Sequence, residues 1–127
     1  MAHDSNISGQ AHHLSQDATF RDVIPTNDGL CVELEGNAFV DIGSGHYETH
    51  KSMEAFWNQY RKGGDLYGEI PIIDTYNRAL YNSLKAGGLN NKNVAYAVRS
   101  AYDQQMSHGL SNIDLVPRIP GRINQRK

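Results

Sequence analysis

Residues 30–64 read LCVELEGNAFVDIGSGHYETHKSMEAFWNQYRKGG, and the spacing of their apolar residues changes partway along. Leu30, Val32 and Leu34 occur at every second position, which is typical of a half-buried β-strand. After the two glycines that flank Ser44, large side chains recur every three or four positions, which is typical of an amphipathic helix. Ser44 is well suited to cap the first turn of that helix. The sequence therefore predicts a strand, a connecting segment and a helix in succession.

The predicted helix carries one continuous stripe of large side chains and ends at Gly63-Gly64. The stripe contains His46, His50, Met53, Trp57 and Tyr60. We expect its apolar part, with the adjacent Phe56, to pack in the core. Glu54 is expected to lie in solvent.

Two further helices are predicted over about residues 73–86 and about residues 92–107. Their expected inward faces consist of Ile73, Tyr76, Leu80 and Leu84 in the first helix and Val94, Val98, Ala101, Tyr102 and Met106 in the second. The stretch from Pro117 onward is expected to be extended because it contains two prolines and a glycine. Strands followed by helices indicate an α+β fold.

The 127 residues fit one domain. Within it we expect residues 1–10 to be loose, residues 10–62 to form the core motif, and residues 65–127 to form a helical extension with a basic tail. A short extended segment, Ala11 to Leu14, opens the core motif, and a turn at residues 25–29 precedes the strand.

The composition excludes several classes of protein. Apolar residues make up 39% and charged residues 20% of the chain, as in an average globular domain and unlike a disordered or fibrous one. No apolar run approaches membrane-spanning length, and the N-terminus does not resemble a secretion signal, so we expect a soluble domain without a membrane partner. The single Cys31 excludes an intrachain disulfide framework and a thiolate-rich zinc site.

Charge is distributed unevenly along the chain. Residues 1–50 contain eight acidic residues and one basic residue, whereas residues 51–127 contain eleven basic and six acidic residues. This asymmetry favours one surface for a polyanion and another for a different partner, although a solvated basic tail is the simpler interpretation. The candidate phosphate contacts are Arg118, Arg122, Lys51 and Arg61.

The spacing of the histidines indicates a candidate metal-binding site. His46 and His50 lie four residues apart on the predicted helix, where two imidazoles on one face can share a divalent ion. His12 and His13 are adjacent on an extended segment, so their side chains point to opposite faces and only one can face that ion. Asn37 follows a glycine in the turn between strand and helix. Each pattern alone is common, but their order along about 40 residues is what a metal-dependent phosphodiesterase of the ββα-metal type requires.

This order resembles the HNH/endonuclease VII superfamily, and particularly the AHH or SHH nuclease toxin domains at the C-terminal tips of bacterial polymorphic toxins such as Rhs-type effectors. The resemblance is carried by Ala11-His12-His13-Leu14, Gly36-Asn37 and His46-Tyr-Glu-Thr-His50. It covers about residues 10–62, and the segment 14–29 is longer than in the compact colicin-type finger.

The resemblance implies a ββα-metal finger, a short hairpin plus a helix, extended by two or more C-terminal helices. It implies that His12, His46 and His50 bind one divalent metal ion, either zinc, nickel, magnesium or manganese, and leave one position open. His13 would then be the general base that deprotonates the attacking water, with Asn37 orienting it. The implied activity is hydrolysis of DNA with low sequence specificity.

The resemblance also implies partners and a location. Such a toxin domain is part of a parent effector, is delivered by a secretion machinery such as type VI secretion into the target-cell cytoplasm, and is antibacterial. Its producer needs a cognate immunity protein, which we expect to cover the acidic first half or the mouth of the site. Reversing Glu33 and Glu35 to lysine tests the first of these surfaces, because unchanged affinity for the immunity protein would exclude it.

Three other functions are compatible with the same residues. An RNase or a nicking enzyme could use the same scaffold. A non-catalytic zinc-stabilised module that binds nucleic acid or protein could close a four-ligand site with Cys31 or an acid. A helical adaptor could carry the histidines incidentally. The substitution His13→Ala separates the nuclease from the zinc module, because only the nuclease loses its activity.

Overall fold

A computed structural model describes residues 10–36 and 42–122, which fold into a two-stranded hairpin followed by helices. The elements are β1 (Gln10–His13), α1 (Asp17–Phe20), a 3-10 turn (Thr26–Asp28), β2 (Cys31–Leu34), α2 (Gly45–Asn58), α3 (Ile73–Ala86) and α4 (Asn91–Ser107). The predicted α+β fold, with a short hairpin preceding the helices, is confirmed.

The hairpin joins strands that are separated by a long connection. β1 and β2 are antiparallel, with His12 opposite Val32 and His13 opposite Cys31. A further bond from the Leu14 N–H to the Leu30 carbonyl, at 2.9 Å, extends the pairing beyond the strands. Both Cys31 and Leu34 are buried. The strict alternation expected for this strand is therefore wrong, because residues from both alternating sets contact the interior.

The start of α2 follows its sequence signal, whereas its end does not. The Ser44 hydroxyl accepts a hydrogen bond from the Tyr47 N–H at 3.3 Å, which is the predicted cap. The helix ends at Asn58, before the predicted glycine pair. A side chain at Gly64 would overlap the Asn58 and Gln59 carbonyls, so this glycine allows a tight turn after the helix.

The core lies where α2, α3 and α4 meet the segments around β1. Met53 and Trp57 of α2 are fully buried, which confirms the predicted packing stripe. The four predicted residues of α3 are fully buried as well. The Trp57 indole N–H donates to the Gln16 side chain at 2.7 Å, and the Tyr76 hydroxyl donates to the Leu14 carbonyl at 2.7 Å. These polar contacts fix the connection after β1 to the helical core.

The inward face of α4 differs from the prediction. Val94 and Ala101 are buried as expected, but Met106 is 45% exposed and Gln105 is fully buried in its place. Gln105 exchanges hydrogen bonds with the Asn77 amide, at 2.8 and 3.0 Å, and donates to the Ser15 hydroxyl. Because this amide is paired, a polar residue occupies a position that hydrophobicity alone assigns to the surface.

The described tail has no helix, as predicted. Leu115 forms an isolated bridge with Ile72, and residues 116–122 have no regular secondary structure. In the described parts of the chain, no helix combines the length and apolar character needed to cross a membrane.

Candidate metal centre

Three histidines from two elements meet at the junction of the hairpin and α2. His12 comes from β1, and His46 and His50 come from the first two turns of α2. Their ring centroids are 5.3 Å apart for His12 and His46, and 4.9 Å apart for each of the other two pairs. One ring nitrogen of each histidine lies within 4.8 Å of those of the other two. The predicted convergence of these three rings is present in the structure.

Backbone contacts fix this junction. The His46 N–H donates to the Glu35 carbonyl at 2.9 Å, so the first turn of α2 is bonded directly to the end of β2. Since β2 pairs with β1, His12 is brought beside the same turn. On the far side, a side chain at Gly45 would lie 2.7 Å from the Gly87 carbonyl, so α2 begins in close contact with the end of α3. The start of α2 therefore contacts both the hairpin and the end of α3.

Two of the three imidazoles are buried, and His50 is partly buried. His12 is 3% and His46 is 5% exposed. Within the described residues, His12 Nε2 and both ring nitrogens of His46 are buried and have no hydrogen-bond partner. Leaving such groups unpaired costs about 1–3 kcal/mol each, and a metal ion, which binds one nitrogen per ring, would engage only part of them.

Burial also sets the protonation state of the cluster. Desolvation, reinforced by the neighbouring histidines, holds the pKa of His12 well below its usual value. Burial next to His46 lowers the pKa of His50 to about 4. Burial lowers the pKa of His46 too, although the Gly36 carbonyl and the Glu33 carboxylate oppose the change. At pH 7 all three rings are neutral and present lone pairs, which is the form that binds a metal.

The donor set fits a tetrahedral transition-metal site. Nitrogens bound at 2.0–2.1 Å to a tetrahedral ion lie about 3.3 Å apart. His12 Nδ1 and His50 Nε2 are separated by 3.3 Å, and the candidate ligand atoms of all three rings lie within 4.8 Å of one another. Three neutral imidazoles suit zinc or nickel better than magnesium, which prefers oxygen ligands. Three buried histidines therefore lie close enough to bind a metal ion.

Cys31 does not belong to this cluster. The group of candidate ligands found among the described residues contains histidines only. The Cys31 thiol is directed to the Gly29 carbonyl, at 3.6 Å, and burial raises its pKa, so it remains protonated. Three protein ligands with an open fourth position are typical of a catalytic zinc site, whereas structural sites are closed by a fourth ligand.

His13 lies in different surroundings from His12, the residue before it. It is half-buried, and its Nε2 lies 3.3 Å from the Thr26 carbonyl. A side chain at Gly29 would lie 2.6 Å from His13 Cδ2, so this glycine gives the ring its space. When Nε2–H donates to the carbonyl, Nδ1 carries the lone pair of the neutral ring. Thr26 and Gly29 were predicted only as part of a turn, and nothing in the sequence signals their contact with His13.

Asn37, the residue expected to orient His13, lies outside the described residues. The preceding Gly36 has a φ of 85°, which indicates that the chain turns sharply before Asn37.

The four candidate phosphate contacts occupy different environments. Lys51 is exposed on α2 and follows His50 directly. Arg118 is half-exposed and pairs with Asp22 at 2.7 Å. Arg122 is exposed and donates to Asn58 Oδ1 and to the Lys62 carbonyl, each at 3.3 Å.

The environment of Arg61 differs from the expectation that this residue contacts phosphate. It is 8% exposed, and its terminal nitrogens donate to both oxygens of Glu54 at 3.0 and 3.1 Å. Its remaining donors reach Asn58 and the carbonyls of Pro120 and Gly121. No guanidinium donor is left for a phosphate, so Arg61 binds the tail to α2. Glu54, expected in solvent, is only 17% exposed because it pairs with this arginine.

The chain matches no protein-family model, no curated protein and no solved structure. Its resemblance to HNH nucleases therefore stays a prediction from the order of its motifs. What the structure adds is the geometry of three buried histidines that can hold a metal ion.

Proposed function

We propose that the chain is a metal-dependent endonuclease that hydrolyses phosphodiester bonds of DNA with low sequence specificity. The observation that carries this proposal is the convergence of His12, His46 and His50, whose candidate ligand atoms lie within 4.8 Å of one another. The direction of the Cys31 thiol, toward the Gly29 carbonyl, argues against the form of the zinc module that is closed by this cysteine.

In this proposal the three imidazoles bind the cation. When bound, it would stabilise the negative charge that develops on the phosphate and the leaving oxygen. The cluster is held by a helix cap and by the backbone bond between His46 and Glu35, so the ligands are arranged before the cation arrives. Because the three rings are neutral at pH 7, each has a nitrogen lone pair available to bind the cation.

His13 is the general base in this proposal. The Thr26 carbonyl favours the tautomer that carries its proton on Nε2, which leaves Nδ1 to accept a proton from the attacking water. General-base action of this kind contributes about 10²- to 10⁴-fold to the rate. His13 is the last residue of β1. A twist at this strand end would let its ring face the substrate while the His12 ring faces the metal.

The proposed substrate contact uses exposed cations. Lys51 lies next to a metal ligand in the chain, and Arg118 and Arg122 lie in the tail. The pair between Arg118 and Asp22 is exposed, so it contributes only about 0–1 kcal/mol and can be exchanged for a phosphate. Contacts to the phosphate backbone position a nucleic acid without selecting its sequence, which agrees with low specificity.

The biological setting belongs to the same proposal. A nuclease domain of this type would act as the toxic part of an interbacterial effector, would be delivered into the target-cell cytoplasm, and would be neutralised in its producer by an immunity protein. Co-expression of the chain with and without the neighbouring gene of its source tests the setting, because only a toxin requires the second protein for cell survival.

The nuclease proposal is tested by incubating the protein with supercoiled plasmid. We expect cleavage with zinc or nickel and none after chelation. His13→Ala should cleave at least about 100-fold more slowly while still binding zinc. His108→Ala, an exposed histidine beyond α4, is the matched control and should cleave like the wild type.

Two outcomes would contradict the proposal. No cleavage with any divalent ion would remove the nuclease function, and an unchanged rate for His13→Ala would remove the base. A structured RNA in a parallel reaction separates the alternatives, because preferential RNA cleavage would assign the site to an RNase.

A further inference from the structure

We propose that Gln104 of α4 is a positioning residue for His13, an inference that rests on the proposed nuclease function. Gln104 Nε2 donates to the Asp28 carbonyl at 2.6 Å, and its Oε1 accepts from the Leu30 N–H at 3.3 Å. One side-chain amide thus engages the backbone on both sides of Gly29.

The segment that Gln104 engages is the one that contacts the His13 ring. The Thr26 carbonyl lies 3.3 Å from His13 Nε2, and Gly29 packs against the ring carbons. The same carbonyl accepts the Gly29 N–H, also at 3.3 Å. A displacement of residues 28–30 would therefore move both the hydrogen-bond acceptor and the packing surface of the proposed base.

Other contacts also restrain this segment, since the Leu14 N–H donates to the Leu30 carbonyl at 2.9 Å and the Cys31 thiol is directed to the Gly29 carbonyl. Residues 25–28 are exposed, and their only regular structure is the 3-10 turn. Asp17 accepts a hydrogen bond from the Thr26 hydroxyl at 2.6 Å and holds the near end. At the far end, Gln104 adds bonds to Asp28 and Leu30 from a helix in the C-terminal extension. The side chain is suited to this because an amide carries a donor and an acceptor together.

If this segment is displaced, we expect a change in which ring nitrogen of His13 carries the proton. With the Thr26 carbonyl in place, Nε2 keeps the proton and Nδ1 keeps the lone pair. Without that acceptor, both tautomers are populated, and the fraction with a free Nδ1 falls. A misplacement of about 1 Å in a reacting group lowers rates by about 100-fold, so a modest shift of this segment is sufficient to affect turnover.

The test compares Gln104→Met, which keeps the volume but removes both hydrogen bonds, with Gln104→Glu, which keeps only the acceptor. Ser100→Ala is the matched control, because Ser100 lies one turn earlier on α4 and bonds only to the Tyr96 carbonyl of its own helix. The zinc-loaded proteins are compared at pH 7.5 by the ¹⁵N shifts of the His13 ring and by steady-state plasmid cleavage. Zinc affinity and the thermal midpoint are measured in parallel.

We expect wild type and Ser100→Ala to show one dominant tautomer, protonated on Nε2. Both Gln104 variants should show averaged ring shifts and a kcat lowered about 10- to 100-fold, with unchanged KM and zinc affinity. His13 ring shifts identical to the wild type in both Gln104 variants would overturn the inference. A wild type that does not cleave plasmid would reject the nuclease function, and the ring shifts would still decide whether Gln104 positions His13.

Discussion

Gly29 lies next to His13. A glycine is needed there because a side chain would overlap the His13 ring, and the backbone conformation does not require one. Its φ of −66° and ψ of 131° are accessible to any residue. A Cβ there would nevertheless lie 2.6 Å from His13 Cδ2 and 3.2 Å from Nε2. The ring and a side chain cannot both occupy this space.

Gly29→Ala should therefore displace the His13 ring without unfolding the chain. We expect plasmid cleavage to fall about 100-fold while zinc affinity, which depends on His12 and the two α2 histidines, stays within about twofold of the wild type. Gly121→Ala is the control, because no atom lies within 4 Å of its Cβ position. A Gly29→Ala protein that cleaves at the wild-type rate would show that the ring position is irrelevant to turnover.

The sequence predicts the three candidate metal ligands better than it predicts the residues that contact and position His13. A spacing of four on a helix places His46 and His50 on one face, and a preceding strand that carries His12 can pack against it. The support of His13 depends on a carbonyl 13 residues away and on an amide in α4, and neither has a sequence signature. Arg61 was misjudged for the same reason, since the tail that buries it lies 59 residues further along the chain.

At the level of elements, the position of α2 depends on its contact with the end of α3. A Cβ at Gly87 would lie 2.0 Å from Thr49 Oγ1 and 2.9 Å from the Gly45 carbonyl. Thr49 is fully buried, so its side chain has little room to move away. This close approach fixes the helix that carries two of the three metal ligands.

Gly87→Ala should destabilise the protein by about 1–3 kcal/mol, the usual cost of overfilling a packed interior. Combining it with Thr49→Ala removes the nearest clashing atom, so the double variant should lose less stability than the two single variants together. Urea denaturation of the four proteins measures this coupling. Strictly additive losses would contradict the described contact between α2 and α3.

The three long helices were largely predictable because their apolar period and end signals are local. α3 occupies the predicted residues 73–86, and α4 begins one residue earlier than predicted. The inward face of α4 was not fully predictable, since Gln105 is buried through its bonds to Asn77 and Ser15. Burial of a paired amide is decided by a partner on another element, and hydrophobicity carries no information about it.

At the scale of the whole molecule, the buried histidines couple folding to pH. The unfolded chain protonates its histidines around pH 6.5, whereas the pKa of His50 in the folded protein is lowered to about 4. Between these values the unfolded state binds more protons, so stability falls as the pH falls. The contribution of His50 to the free energy of unfolding is fully present above about pH 6.5 and is lost as the pH approaches 4. For His50 alone it corresponds to about 3 kcal/mol.

The chelated protein should therefore lose stability steeply between pH 6.5 and pH 4.5. His50→Gln should flatten this dependence, because one of the groups that resist protonation is removed. His108→Gln, which replaces an exposed histidine, should leave the dependence as it is. Urea denaturation at several pH values measures the slopes, and equal slopes for wild type and His50→Gln would show that the cluster does not control acid unfolding.

X-ray absorption of the zinc-loaded protein identifies the atoms that bind the metal ion. We expect one zinc ion per chain with three imidazole nitrogens at about 2.0 Å and a fourth ligand that the protein does not supply. A sulfur ligand at about 2.3 Å, or fewer than three imidazoles, would contradict it, because the ion would then not be held by His12, His46 and His50 in an open site.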